Sequence, residues 1–231
     1  MGVKGYQGTS LLDFPGRIAS LVFLGGCNLT CPFCHNPALV LAPQELPDCP
    51  PEVLLADLER RRSFIDGVVI SGGEPTLDPG LQKLLASIKE LGLQVKLDTN
   101  GLRPVVLERL FAAELVDFLA LDLKTAPGRY GELHSGPVDG KALERSIDLL
   151  LASGVECELR TTCVPGLVAE EDIRILGKLV RGARRWVLQQ FVPHHALAGE
   201  MNHLDPYPAQ KLEALAALAG EYAREVTIRG L

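Results

Sequence analysis

The sequence predicts an α/β protein built as an open partial (β/α)6 barrel. Two observations predict it. Short β-branched runs alternate with segments of helical apolar spacing, and polar motifs recur just past the carboxyl end of one run after another. Strand–helix alternation implies parallel strands joined by right-handed crossovers. A barrel gathers all its strand ends at one mouth, whereas an open doubly wound sheet concentrates its site at one switch point.

The elements follow in order. Residues 1–16 read as an N-terminal extension or hairpin. Strands are expected at 18–25 (IASLVFLG), 66–72 (DGVVISG), 93–99 (LQVKLDT), 116–123 (VDFLALDL), 155–162 (VECELRTT) and 186–192 (WVLQQFV), with a last strand-like piece at 225–230. Helices are expected at 51–64, 78–91, 103–113, 140–153, 169–182 and 206–223. In the second of these, Leu81, Leu84, Leu85, Ile88 and Leu91 form one apolar stripe. Asp78-Pro79 supplies an N-cap and a first-turn proline, and Gly92 a stop. Asp139 and Asp205-Pro206 are further starts, and Gly154 and Gly182 further stops. Neither a linker nor a repeat divides the 231 residues. The reading is therefore one domain, with a core over 17–223 and a terminal strand over 224–231.

An apolar fraction of 47% and a charged fraction of 23% suit a chain that buries a sizeable core. No run approaches the roughly 18 apolar residues that cross a bilayer. The opening MGVKGYQGTS lacks the apolar stretch of a signal peptide, so a cytoplasmic protein without a membrane partner is expected. A net charge of −6 argues against a nucleic-acid groove, and the basic run ERRRS (59–63) reads as a solvated helix face. Six cysteines in such a chain point to metal or redox chemistry rather than disulfides. Cys49, Cys157 and Cys163 follow no ligand spacing and read as buried small apolar residues or incidental thiols. His134, His194, His203 and Trp186 receive no role.

The remaining three cysteines are grouped. CNLTCPFCHN (27–36) sets Cys27, Cys31 and Cys34 in a C-x3-C-x2-C frame. Structural zinc takes four protein ligands, and His35, adjacent to Cys34, is badly placed to complete a tetrahedron. An iron–sulfur cubane takes one thiolate per iron, so three cysteines leave one iron open to another ligand. A zinc-bearing interaction domain without catalysis remains the rival reading.

With CNLTCPFC carrying an aromatic before its third cysteine, and SGGEP (71–75) following one strand later, the chain resembles the radical S-adenosylmethionine enzymes. Its long segment DFPGRIASLVFLGGCNLTCPFCHNPALV (13–40), continued by DTNG, DLK and VPG, is similar to the activating enzymes of glycyl radical enzymes. The resemblance covers most of the chain. It implies a radical-SAM core, a [4Fe–4S] cluster on Cys27, Cys31 and Cys34, and S-adenosylmethionine on the open iron. The implied activity is abstraction of a glycine α-hydrogen from a partner glycyl radical enzyme, with an anaerobic ribonucleotide reductase favoured. Flavodoxin or ferredoxin would donate the electron. A radical enzyme acting on a small molecule or peptide is the alternative within the superfamily.

Individual residues carry two readings each. Gly72 and Gly73 let backbone approach a ligand closely, or simply make a tight turn. Glu74 offers an acceptor for an ammonium group, and the resemblance assigns it the methionyl amine. Asn100-Gly101 is a turn signal. The resemblance implies a monovalent cation at Asp98 and Thr99. Asp122 and Lys124 flank Leu123 on one strand face, where they need a partner or a ligand. The resemblance places both at the cofactor's carboxylate and ribose, against a buried structural ion pair. It also implies Arg160 at the methionyl carboxylate and His195 near the ribose, where a surface loop pair is the alternative. Phe33 packs on the adenine or into the core.

Overall fold

The structure is a computed structural model and describes residues 2–134 and 136–231. Its eight strands are β1 (Val3–Ser10), β2 (Ala19–Leu24), β3 (Gly67–Gly72), β4 (Gln94–Thr99), β5 (Phe118–Asp122), β6 (Glu156–Cys163), β7 (Arg185–Gln190) and β8 (Glu225–Arg229), and they lie in the sheet in chain order. β1 is antiparallel to β2, while β2–β3, β3–β4, β6–β7 and β7–β8 are parallel pairs. The helices are α1 (Pro37–Leu41), α2 (Pro51–Arg61), α3 (Leu81–Glu90), α4 (Pro104–Ala112), α5 (Gly140–Ser153), α6 (Glu170–Leu179) and α7 (Ala209–Ala219). This open, mostly parallel α/β sheet is the fold class that the alternation predicts. Among the described residues no helix is long and apolar enough to cross a membrane.

Helix starts show where local signals compete. Asp139 caps α5, accepting from Lys141 N at 3.0 Å, and Gly154 closes it in the left-handed region at φ 74°. Asp78 is not the N-cap of α3. A 3-10 turn over Pro75–Leu77, capped by Glu74, comes first, and Gly80 becomes the cap residue. Asp78 instead braces that entry, accepting from Gly80 N at 2.7 Å and Gly2 N at 2.6 Å. Asp205-Pro206 does not start α7 either, since the helix begins after Pro208. A residue before proline is pushed out of the helical region, so Pro208 keeps Tyr207 extended and delays the start.

The chain divides into two compact units. The first takes in residues through Asn28, Asn36–Thr99 and Val105–Leu119. Its strands β2 and β3 are buried along most of their length, as near-continuous β-branched and apolar runs in parallel sheets should be. Phe14, Ala19, Leu21, Val69 and Phe118 form one buried cluster, with the Phe14 and Phe118 rings meeting edge to face at 5.8 Å and 61°. The second unit takes in Leu29–His35, Asn100–Pro104 and Ala120–Leu231. Trp186 of β7 is sealed in it, its indole N–H donating to Thr161 Oγ1 of β6 at 3.0 Å. Ile173 and Leu176 of α6 and Leu212 and Leu215 of α7 are buried as well. Each large apolar side chain so sealed contributes about 1.5–3 kcal/mol relative to exposure.

Candidate active site

The expected site residues fall into both units. Cys27, Gly72, Gly73, Glu74, Asp98 and Thr99 belong to the first, and Cys31, Phe33, Cys34, Asp122, Lys124, Arg160 and His195 to the second.

In the first unit, the chain leaving β3 lies against the chain leaving β2. Gly73 N donates to Leu24 O at 2.9 Å and Glu74 N to Gly26 O at 2.7 Å. A Cβ on Gly73 would stand 2.0 Å from Gly26 O, and one on Gly72 2.3 Å from Leu24 O. Gly72 also has φ 123°, a backbone that side chains strain. Close approach of two backbones therefore demands both glycines. Glu74 is almost fully buried, and its Oε1 accepts from Thr76 N at 3.0 Å, from the Thr76 hydroxyl, and from Thr99 Oγ1 at 2.7 Å. These donors fix the carboxylate's orientation before any ligand arrives. Asp98 accepts from Lys96 Nζ at 2.5 Å. Lys96 was not among the expected site residues, although it alternates with Asp98 along the strand.

In the second unit, Cys34 N donates to Cys31 O at 3.0 Å, so these two cysteines share one turn. The loop is tied down on several sides. Thr30 N donates to Leu133 O at 3.1 Å, Ala198 N to Pro32 O at 2.9 Å, and the His35 ring nitrogen Nε2 lies 2.7 Å from Val192 O. All six cysteines are free thiols. Burial pushes the Cys31 thiol up to about 11, against the opposing pull of the Lys124 ammonium. Phe33 is buried, whereas His195 is exposed and sits on a left-handed bend at φ 64°.

Asp122 is the centre of an ion cluster. Arg160 Nε reaches its Oδ1 at 2.8 Å and Lys124 Nζ its Oδ2 at 2.9 Å. Burial alone would raise the carboxyl's pKa, but the two cations outweigh it and hold the group well below the usual carboxylate range. Two fixed cations around one carboxylate suit a further anion better than a further cation. The backbone there is anchored too: Leu123 N donates to Arg160 O at 2.7 Å and Lys124 N to the Tyr130 hydroxyl oxygen at 3.1 Å. Tyr130 carries no sequence signal for this role. It lies six residues beyond Lys124 in a 3-10 turn, and burial pushes its phenol pKa up.

The profile of the radical SAM superfamily matches residues 21–179, more than half of the chain. The chain belongs to the radical SAM superfamily. Within it, the chain falls with the glycyl-radical-enzyme activating enzymes. It is 35% identical, over 98% of its own length and 95% of the relative's, to a Methanocaldococcus jannaschii protein provisionally named a glycyl-radical enzyme activating enzyme. It is 30% identical to the pyruvate formate-lyase-activating enzyme of Clostridium pasteurianum, over 92% of this chain and 91% of that one. Solved structures share the fold. Streptococcus suis SuiB matches with a TM-score of 0.70 at 17% identity over 90% of this chain, which spans 47% of SuiB. TYW1 matches with a TM-score of 0.61 at 18% identity, over 89% of this chain and 74% of that one.

Membership makes the chain a radical SAM oxidoreductase and implies a [4Fe–4S] cluster and S-adenosylmethionine. The donors present fit both. Three free thiols stand within residues 27–34, and thiolate is the ligand such clusters take. Among the described residues, no group of three or more His, Cys, Asp or Glu is placed to hold a single metal ion. A cubane asks for one thiolate per iron rather than convergence on a point. The Lys124–Asp122–Arg160 cluster suits the carboxylate of an amino acid.

Proposed function

We propose that this enzyme removes an α-hydrogen from one glycine of a partner glycyl radical enzyme, an anaerobic ribonucleotide reductase, leaving the radical on that backbone. Cys27, Cys31 and Cys34 hold three irons of the cluster. Glu74, oriented by Thr76 and Thr99, receives the methionyl ammonium, with Gly72 and Gly73 admitting the backbone approach. Lys124 and Arg160 receive the cofactor's carboxylate, Lys124 and His195 its ribose, and Phe33 its adenine. The bound cluster and S-adenosylmethionine supply a 5′-deoxyadenosyl radical, so no side chain need act as acid or base. Flavodoxin or ferredoxin delivers the electron. The monovalent cation that the resemblance implies at Asp98 and Thr99 is not part of this reading, because Lys96 already pairs with Asp98.

The observation that carries the proposal is likeness along nearly the whole chain to named activating enzymes of similar length. The ribonucleotide reductase partner rests on the LLDFPG-to-CHNP stretch (11–37). The test is hydrogen transfer. The anaerobically reconstituted enzyme is mixed with α-deuterated-glycine versions of an anaerobic ribonucleotide reductase and of pyruvate formate-lyase. Deuterium in 5′-deoxyadenosine, with a glycyl radical signal on the reductase, is the expected result. Transfer from pyruvate formate-lyase alone would reassign the partner. Cofactor cleavage without transfer from either would favour a small-molecule or peptide substrate.

A further inference from the structure

β4 reads Gln-Val-Lys-Leu-Asp-Thr over residues 94–99. Alternation along a strand puts Lys96 and Asp98 on one face and Thr99 on the other. The contacts obey that division. Lys96 Nζ lies 2.5 Å from Asp98 Oδ1, while Thr99 Oγ1 donates to Glu74 Oε1 at 2.7 Å. The hydroxyl and the carboxylate that the resemblance would join around one monovalent cation are thus turned apart, and the carboxylate already has a cation. These residues do not fit a bound alkali ion. We infer that the Lys96 ammonium is the chain's own replacement for a monovalent cation at Asp98, a tethered positive charge that makes cofactor binding indifferent to alkali ions. The cofactor-binding part of this inference rests on the function proposed above.

Three observations support the inference. The Lys96 side chain is 1% exposed and that of Asp98 13%. Lysine is almost never sealed to that degree unless it is paired, because an unpaired buried ammonium is too costly. The ammonium also lies 5.9 Å from the centre of the Phe118 ring, whose electron-rich face attracts cations. Phe118 is itself fully buried and packed edge to face by Phe14, which holds the ring in place.

An alkali ion brings the same unit charge but must come from solution, shed water and give up its freedom. A side chain tethered two residues from its partner has met those costs in folding. Lysine suits the place better than arginine, since its charge is a compact point rather than a planar fork.

The test is equilibrium binding of S-adenosylmethionine to the cluster-loaded enzyme at fixed ionic strength in potassium, sodium or tetramethylammonium chloride. Wild-type affinity should agree within about twofold across the three salts, and Lys96→Met should bind about tenfold or more weakly in tetramethylammonium and recover in potassium. A comparable tenfold loss by the wild type without alkali ion would overturn the inference, as would a Lys96→Met variant as indifferent as the wild type. Melting temperatures of the metal-free chain in the same salts give a second arm that needs neither cluster nor cofactor. The wild type and Lys96→Arg should melt alike in all three. A potassium-dependent rise in the wild type would overturn the inference even if Lys96→Met does not fold. If the wild type binds no cofactor in any salt, the functional reading fails, and the melting series still decides the role of Lys96.

Discussion

β4 and β5 each bring a lysine and an aspartate two residues apart to the strand's carboxyl end, but in opposite order. In β4 the lysine is the deeper residue, sealed at 1% exposure, and Asp98 pairs with it. In β5 the aspartate comes first and Lys124 lies just beyond the strand, each side chain 21% exposed, with Arg160 as a second cation on Asp122. The same two residue types therefore make different devices. One is a pair built on a sealed lysine, and the other is a carboxylate held by two cations. The difference is legible in the order of the letters, KLD against DLK, because position along a strand sets depth.

The comparison breaks most visibly on lysine removal. Lys96→Met should destabilise the metal-free chain by about 3–5 kcal/mol in tetramethylammonium buffer, the usual cost of leaving a buried charge alone. Lys124→Met leaves Asp122 its arginine and should cost less stability, about 1.5–3 kcal/mol, while weakening S-adenosylmethionine binding. Urea denaturation of both variants separates the two. Equal losses would mean that the two pairs are one kind of structure.

A smaller effect should come from Thr99→Val, which removes one of the donors on Glu74 Oε1 but leaves those of Thr76. The expected cost is about 1 kcal/mol in stability, with cofactor affinity reduced because the carboxylate is less firmly aimed. A calorimetric titration showing unchanged affinity would mean that the remaining donors suffice to orient Glu74.

A control lies away from both lysine pairs. Asp57 accepts from Tyr6, Arg60 and Arg61, and these bonds hold its carboxyl at about 2. Unfolded aspartate titrates near 3.9, so the folded state releases this proton more readily, and the group stabilises the fold above that pH. The contribution fades as pH falls from about 4 towards 2. Asp57→Asn should therefore melt below the wild type at pH 5, and the gap should close near pH 2. A gap independent of pH would deny the carboxylate its role.

Much of the fold was readable from periodicity. All six core strands lie within about two residues of their expected ranges, and β2, β3 and β5 are legible as apolar runs buried along most of their length. β1 is less legible: VKGYQGTS is glycine-broken with no clean alternation and predicts only an extension or hairpin, and the strand it forms is mostly half-buried. The displaced helix starts at Asp78 and Asp205 reflect a neighbouring 3-10 turn and a second proline, which outcompete a good cap. Of the candidate site, the cysteine frame and the paired glycines were legible because spacing alone carries them. The partners of Glu74 were not, since Thr99 lies twenty-five residues away and its hydroxyl is brought in by strand pairing. Tyr130 was likewise invisible, because an isolated aromatic in a 3-10 turn looks the same whether or not its hydroxyl anchors Lys124.

The central claim is that three thiolates hold a cubane whose fourth iron takes the cofactor. Anaerobic reconstitution followed by iron and sulfide analysis and electron paramagnetic resonance tests it most directly, with and without S-adenosylmethionine. The account predicts iron and acid-labile sulfide in equal amounts, a reduced-cluster signal that shifts on adding the cofactor, and loss of both cluster and shift in Cys31→Ala. A protein that binds zinc without sulfide, or a cluster whose signal ignores the cofactor, would contradict it.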